Sequence, residues 1–281
     1  NTHLDHGHAL DPADAAVLGP DAAAEALRLL AHRPGYAPTP LRRLTGLARA
    51  TGVAAITVKD ESGRLGLGSF KALGGAHAVV RLVLEEASRR LARPVAVEEI
   101  GAAEVRAVAA GLTFACATDG NHGRSVAQGA GLVGARSVVF VHAGVSEGRI
   151  AAIAALGAEM VRVAGSYDES VAEAARVAER EGWTLVSDTS WPGYERIPGL
   201  VMQGYTALVV EALDALEAPP THVFVQCGVG GIAAAVAGHL ATALAGARPA
   251  FVVVDPARAP CMFETARAGR PVALRPGEPT V

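Results

Sequence analysis

The chain has 281 residues, with 25 Lys and Arg against 28 Asp and Glu, a formal net charge of −3. That balance leaves no basic footprint for nucleic acid, and no apolar run reaches the length of a membrane span. Hydrophobic residues make up 51% but aromatic ones only 4%, so Ala, Val, Leu and Gly must build the core, a composition that suits small-residue helices on buried parallel strands.

Near the start lies "HLDHGH" (3–8), whose His3, His6 and His8 read as a solvated terminus rather than a metal site. Short β-rich runs then alternate with Ala-rich stretches. Strands are expected at 54–59, 113–118, 137–142, 159–163, 184–187, 222–227 and 250–255. Helices are expected near 70–91, 121–133, 147–156, 168–182, 198–217 and 231–245. Strand, helix, strand at this spacing reads as right-handed βαβ units and a parallel sheet. The stretch 93–111 and "LEAPPTH" at 216–222 read as crossings between two lobes. The three cysteines, Cys116, Cys227 and Cys261, are far apart along the chain. They fit buried small hydrophobes in a reducing cytosol, so the expected location is cytoplasmic. No metal site is expected.

Only two of the 25 basic residues are lysine, Lys59 and Lys71. Arginine would serve for surface charge; a lysine is required where a nitrogen must lose its proton and react. Lys71 lies in "GRLGLGSFKALGG" (63–75). Gly66 and Gly68 permit a tight loop, and Ser69 can cap a helix starting at Phe70. Lys71 then falls in the first helical turn, where the helix's positive end disfavours the ammonium form. A neutral amine there can form a Schiff base with an aldehyde.

Two further strand-to-helix turns carry chemistry, since ligands of open parallel sheets sit beyond the carboxyl ends of strands. "ATDGNHGRS" (117–125) offers the Asp119 carboxylate and the Asn121 amide, on residues that also make a plain turn. "QCGVGGIAAAV" (226–236) places Gly228, Val229, Gly230 and Gly231 between a strand and a helix, a phosphate cradle. Alone, this turn also fits a dinucleotide fingerprint, with Ala233 in the third place and Asp255 as the ribose-binding acid. An NAD-binding oxidoreductase, or a binding domain without catalysis, therefore stays as a rival. An NAD site uses neither the lysine turn nor the Asp-Gly-Asn-His-Gly turn, whereas a pyridoxal phosphate (PLP) site uses all three. "SDTSWPGYERIP" (187–198) adds Asp188, which on its own also reads as a turn cap. Its Trp191 and Tyr194 read as packing of the lobe interface rather than a cover over substrate.

In this order, "SFKALGGAHAV", "ATDGNHGRSVA" and "CGVGGIAAAV" resemble the fold-type II PLP enzymes, the tryptophan-synthase-β and threonine-dehydratase superfamily. Together with "SDTSWPGYERIP", they are most similar to its ammonia-lyases of 2,3-diaminopropionate. The resemblance spans about residues 36 to 281. It implies an α/β fold of two open parallel-sheet domains: a large PLP-binding domain of residues 1–104 and 216–281, and a small domain of 105–215. It also implies that the C-terminal part of the large domain, with the residue facing the pyridine nitrogen, is absent from this chain. Residue by residue, Lys71 would bond PLP and Asn121 would hydrogen-bond the ring's 3′ oxygen. Gly228, Val229, Gly230 and Gly231 would hold the phosphate. Asp119 would lie beside the substrate, where the superfamily's dehydratases have a serine, and Asp188 would be a second carboxylate near it. The implied reaction is α,β-elimination of 2,3-diaminopropionate to pyruvate and ammonia in a homodimer. The alternative is a PLP-dependent dehydratase or β-replacement enzyme acting on serine, threonine or 3-hydroxyaspartate.

Overall fold

The computed structural model describes residues 9–272 and 274, so His3, His6 and His8 lie outside the described residues. The chain opens with two helices that the sequence pattern leaves unassigned, α1 (Pro12–Leu18) and α2 (Pro20–Ala31). Each carries Pro at its start, where a missing N–H costs nothing, and Asp11 caps α1 by accepting from Ala13 N–H at 2.8 Å. β1 (Leu41–Arg43), α3 (Thr45–Thr51) and β2 (Thr57–Lys59) follow, with β1 and β2 antiparallel and Leu41 opposite Lys59. The strand expected at 54–59 is thus half of a separate ribbon and no member of a parallel sheet. The reason is burial: Thr57 and Val58 are exposed, whereas a parallel strand is covered on both faces.

α4 (Lys71–Leu91) begins one residue later than the pattern predicts. The stretch 93–111 holds another helix, α5 (Ala103–Ala110). Then comes the expected alternation: β3 (Thr113–Ala117), α6 (Asn121–Val133), β4 (Arg136–His142), α7 (Glu147–Ala154), β5 (Glu159–Val163), α8 (Tyr167–Glu181) and β6 (Thr184–Leu185). These strands form one parallel sheet in the order β5-β4-β3-β6. It is covered on both faces. Ala115, Val138 and Phe140 pack on Ala174, Val177 and Ala178 of α8, while the alternate residues Phe114, Cys116, Val139 and Val141 join the larger core that includes α6 and α4. The two-residue side-chain period of a strand sends them to opposite sides.

α9 (Arg196–Ala215) leads to β7 (His222–Gln226), α10 (Gly231–Ala243), β8 (Ala250–Val254) and α11 (Cys261–Ala268). β7 and β8 make a second, two-stranded parallel sheet. Phe224 (67% exposed) and Val254 (51%) leave part of it open to solvent.

α4 is buried from Ala72 to Val80 and lies against α6 and α9. These contacts explain the small-residue composition. A Cβ on Gly74 would come within 2.5 Å of the Tyr205 ring, and one on Gly129 within 2.6 Å of the Ala76 Cα. Either methyl would force the helices apart, an overpacking cost of about 1–3 kcal/mol. No helix among the described residues is long and apolar enough to cross a membrane.

Candidate active site

The loop before α4 turns through Leu65, Gly66 and Gly68, all with positive φ. Ser69 Oγ then accepts the Lys71 N–H at 3.1 Å, which satisfies one of the helix's first free donors. From this first position of α4, Lys71 Nζ reaches across to Asp188 Oδ2 as donor and ion pair. Asp188 sits in the loop after β6, its side chain only 9% exposed, so it does more than cap a local turn. The N–H of Thr189 in that turn goes to Ser187 Oγ instead (3.1 Å).

A third group meets this pair. His122, the second residue of α6, is buried, and its Nε2 lies 2.8 Å from the Val186 carbonyl. That carbonyl can only accept, so Nε2 carries hydrogen. Nδ1 is left without a hydrogen bond among the described residues, 3.9 Å from Asp188 Oδ2. Burial alone would push the Asp188 carboxyl up, but the charges of His122 and Lys71 and the hydrogen bond from Lys71 hold it down, at about 2. The helix N-terminus disfavours a cation at position 71; Asp188 supplies the anion that the local sequence of α4 does not show.

Asp119 is placed differently. Its Oδ1 lies 3.0 Å from His142 Nε2, without the alignment of a hydrogen bond, and its side chain is 38% exposed. Among the described residues no hydrogen bond or ion pair joins it to Lys71, whose partner is Asp188. Nor does it hold its own turn together, since the N–H groups of Gly120 and Gly123 go to Thr118 Oγ1 at 3.0 and 3.3 Å. Asp119 is therefore free of the turn-stabilising duty its sequence position suggests. Asn121 is exposed at the first position of α6.

Tyr167 feels the charge of both carboxylates. Burial raises its phenol's pKa, and the charges of Asp188 and then Asp119 raise it further. Sequence reasoning passes over both Tyr167 and His122. The signal for Tyr167 was its place at the start of the helix after β5, a strand-end position like those of Asn121 and Gly231. Tyr194 pins the segment carrying Asp188: its hydroxyl donates to the Leu185 carbonyl (2.7 Å) and accepts the Ser187 N–H (3.0 Å). Trp191 stacks on Tyr194 at 4.2 Å, so this pair packs the loop.

The glycine turn closes the site from the β7 side. A Cβ added to Gly231 would stand 3.8 Å from the Asp188 carbonyl oxygen and 3.9 Å from the Tyr205 ring. Gly230 caps α10 at φ +92°, a conformation that favours glycine, and no side chain caps the helix. A Cβ on Gly228 would meet nothing within 4 Å. An uncapped helix start beside open space fits a phosphate, and the Lys71 amine across Asp188 fits the carbonyl end of the same molecule. The ribose-acid reading of Asp255 does not survive. Its Oδ2 accepts the Phe263 N–H at 2.8 Å, and its carboxylate stands against Cys227 and Cys261. The β7-α10-β8 unit is real, but its acid is engaged within the protein.

Comparison with known proteins gives the same answer. The family model described as "Pyridoxal-phosphate dependent enzyme" matches residues 32–280. The chain is 38% identical over 239 residues to diaminopropionate ammonia-lyase of Escherichia coli (strain K12), a match covering 84% of this chain and 58% of that protein. It is 30% identical over 244 residues to an L-threonine dehydratase of Mycobacterium leprae (strain TN), covering 86% of this chain and 49% of that protein. The crystal structure of Escherichia coli diaminopropionate ammonia-lyase in complex with D-serine superposes with a TM-score of 0.86 at 35% identity, covering 97% of this chain and 68% of that one. The chain thus spans 58% of the length of that ammonia-lyase sequence and about half of the dehydratase. With the lysine, the glycine cradle and a family match over nearly the whole chain in hand, the chain belongs to the pyridoxal-phosphate-dependent enzymes.

Proposed function

We propose that this chain carries the lysine-bearing part of a PLP-dependent carbon–nitrogen lyase that converts 2,3-diaminopropionate and water to pyruvate and two ammonia. The observation that carries the reading is the buried Asp188 carboxylate on Lys71, together with an Asp119 carboxylate that the N–H groups of its own turn do not use. An anionic lining suits a substrate with a second ammonium, and it suits a neutral hydroxyl poorly.

Lys71, Asn121 and the Gly228–Gly231 turn would hold the cofactor. Bound there, PLP supplies the electron-withdrawing ring that makes the α-hydrogen of an amino acid removable. The chain's own residues do the rest. The N–H groups of Gly228, Val229, Gly230 and Gly231 bind phosphate, and the Asn121 amide orients the ring's 3′ oxygen. Asp188 holds the Lys71 nitrogen in place and balances its charge when Lys71 takes the α-proton. Asp119 pairs with the β-ammonium and positions it to depart as ammonia. The second ammonia comes from the α-nitrogen on hydrolysis, which balances the equation.

The second reading is elimination from serine or a related β-hydroxy amino acid, favoured by the D-serine complex of the related enzyme. Asp119 separates the two. In Asp119→Asn, kcat/KM for D- and L-diaminopropionate is expected to fall about 30-fold to several thousandfold, the loss of one charged pairing. The larger fall belongs to the D-isomer, because Lys71 reaches one face of the substrate and Asp119 is the candidate for the other. Asp119→Ser should shift preference towards serine. Equal small losses on all three substrates would overturn the role given to Asp119.

The division into a large domain of residues 1–104 and 216–281 and a small one of 105–215 belongs to this proposal. It rests on the four-stranded sheet lying inside the second range, although α9 packs on α4, α10 and α2. A homodimer follows from the family resemblance, and sedimentation analysis tests it. A cytoplasmic setting accords with three free cysteines.

A further inference from the structure

The loop that delivers Lys71 holds a shape its own residues do not favour. Leu65 (φ +50°), Gly66 (+71°) and Gly68 (+74°) are all left-handed. For Leu65 this conformation is unfavourable, because its Cβ crowds the following carbonyl oxygen. Within the loop the Leu67 N–H donates to the Arg64 carbonyl at 2.9 Å. The carbonyls of Leu65 and Leu67 are taken up from outside it.

The outside element is α6. Arg124 and Gln128 stand four positions apart, hence on one face of that helix. Arg124 Nη1 donates to the Leu67 carbonyl at 2.7 Å, and Gln128 Nε2 donates to the Leu65 carbonyl at 3.4 Å. Gln128 Oε1 in turn accepts from Arg33 Nη2. Arg33 Nη1 donates to the Ala72 carbonyl at 2.7 Å, one residue past the lysine. Ser125 Oγ accepts the Ala76 N–H at 2.9 Å. The segment from Leu65 to Ala76 is thus held by three α6 side chains and by Arg33, which is itself bonded to α6. A guanidinium taken out of water is costly unless a carboxylate meets it, yet both arginines here serve main-chain carbonyls. Arg33 is buried, and Arg124 Nε is buried with no hydrogen-bond partner among the described residues. Two cations set at a cost against one segment point to a demand on that segment's shape.

We propose that Arg124, supported by Gln128, is a positioning residue for Lys71: it holds the turn at 65–68 in the shape from which the lysine meets Asp188 and bonds PLP. The inference rests on the reading of Lys71 as the PLP-bonding lysine and goes beyond it. Arg124 and Asn121 share the first turn of α6, so one rigid element would place both the lysine and the partner of the ring's 3′ oxygen. The contact between Arg124 and Leu67 spans 57 positions, which is why the motif around Arg124 shows only a turn.

The test uses the full chain, first without cofactor and then with PLP. In cofactor-free Arg124→Met, hydrogen exchange of the buried Leu67 amide should quicken at least about tenfold, as for loss of one hydrogen bond to a charged group. With PLP added, the visible imine band should form at least about tenfold more slowly than in wild type. Arg124→Lys should restore the rate to within about threefold, because the contact uses a single donor. Gln128→Leu should also slow the band. It removes a partner of the buried Arg33 and can fail to fold, so the half-buried Arg124 decides the matter. The control is Arg106→Met, which removes another arginine–carbonyl bond on α6, to Leu132 at 3.3 Å near the helix's other end; it should leave the band's rate unchanged. Borohydride trapping of the wild type separates this inference from the reading beneath it. Cofactor on a residue other than Lys71 overturns both. Cofactor on Lys71, with a band that forms as fast in Arg124→Met as in wild type, overturns the role of Arg124 alone. Equal slowing by Arg106→Met, or no rescue by Arg124→Lys, would reduce Arg124 to packing and overturn it as well.

Discussion

The two lysines sit in comparable pairs with opposite surroundings. Lys59 donates to Glu211 Oε2 at 2.5 Å and to the Thr39 carbonyl at 2.6 Å. Glu211 also receives two bonds from Arg64 (2.8 and 2.7 Å) and the Thr39 N–H (3.2 Å), and Arg64 in turn is held by Glu61. The side chains of Lys59 and Glu211 are 11% and 4% exposed. Lys71 and Asp188 are 31% and 9% exposed, and a His122 ring nitrogen stands 3.9 Å from the carboxylate. The first pair is one bond in a closed network that anchors the β1–β2 ribbon to α9. The second is open on one side. A lysine–carboxylate contact therefore does not mark a reactive site; what marks it is a lysine whose remaining hydrogens are unclaimed and face space.

The sharpest way to break this comparison is to exchange each lysine for arginine, which keeps the charge and removes the reactive amine. In Lys71→Arg, activity should fall at least about 10⁴-fold, as for loss of a covalent group. Lys59→Arg should stay within about tenfold per folded molecule. Borohydride reduction followed by peptide mapping should find cofactor on Lys71, and finding it on Lys59 would reverse the assignment. Next in size is Glu211→Ala. It leaves two cations, Lys59 and the fully buried Arg64, facing the single carboxylate of Glu61. An uncompensated buried charge costs about 3–5 kcal/mol, to be read from urea unfolding. A loss below about 1 kcal/mol would mean that the network relaxes or takes up water, and the contrast with the open pair would weaken.

The comparison also shows what a sequence can carry. The strands from 113 onward and the helices between them were legible because apolar runs and glycine turns are local signals. The same holds for the turns bearing Lys71, Asn121 and Gly230. The helices at 12–31 were passed over, although Ala22, Ala23, Ala26, Leu29 and Leu30 recur at helical spacing on the buried face of α2; most of that face is alanine, which marks it faintly. β2 has the composition of a sheet strand but pairs in a ribbon, a fact set by its neighbour and not by its residues. The contact between Lys71 and Asp188 spans 117 positions. Nothing near either residue announces it, and "SDTS" reads equally as a turn. His122 was hidden inside a turn motif already accounted for. Glu211 sat in a helix where an acid on a solvated face is the ordinary reading.

The smallest effect expected concerns Asp188 alone, and it tests whether the open pair is charged. In the folded chain its carboxyl is held at about 2, against about 3.9 in an unfolded chain. The folded state therefore binds this proton more weakly than the unfolded state. The resulting stability is complete above about pH 5 and is lost as the pH falls from about 4 through about 2. A shift of this size corresponds to about 2.5 kcal/mol. Lys71 is partly exposed, and solvent screening reduces the contribution to about 1–2 kcal/mol. Asp188→Asn keeps the shape and removes the charge, so wild type should be the more stable by about that amount at pH 5, with the difference vanishing towards pH 2. Urea unfolding of both proteins across this range measures it. Other carboxylates titrate in the same window, but they do so in both proteins and cancel in the difference. A difference that stays constant with pH would mean that the Asn variant lost packing rather than charge.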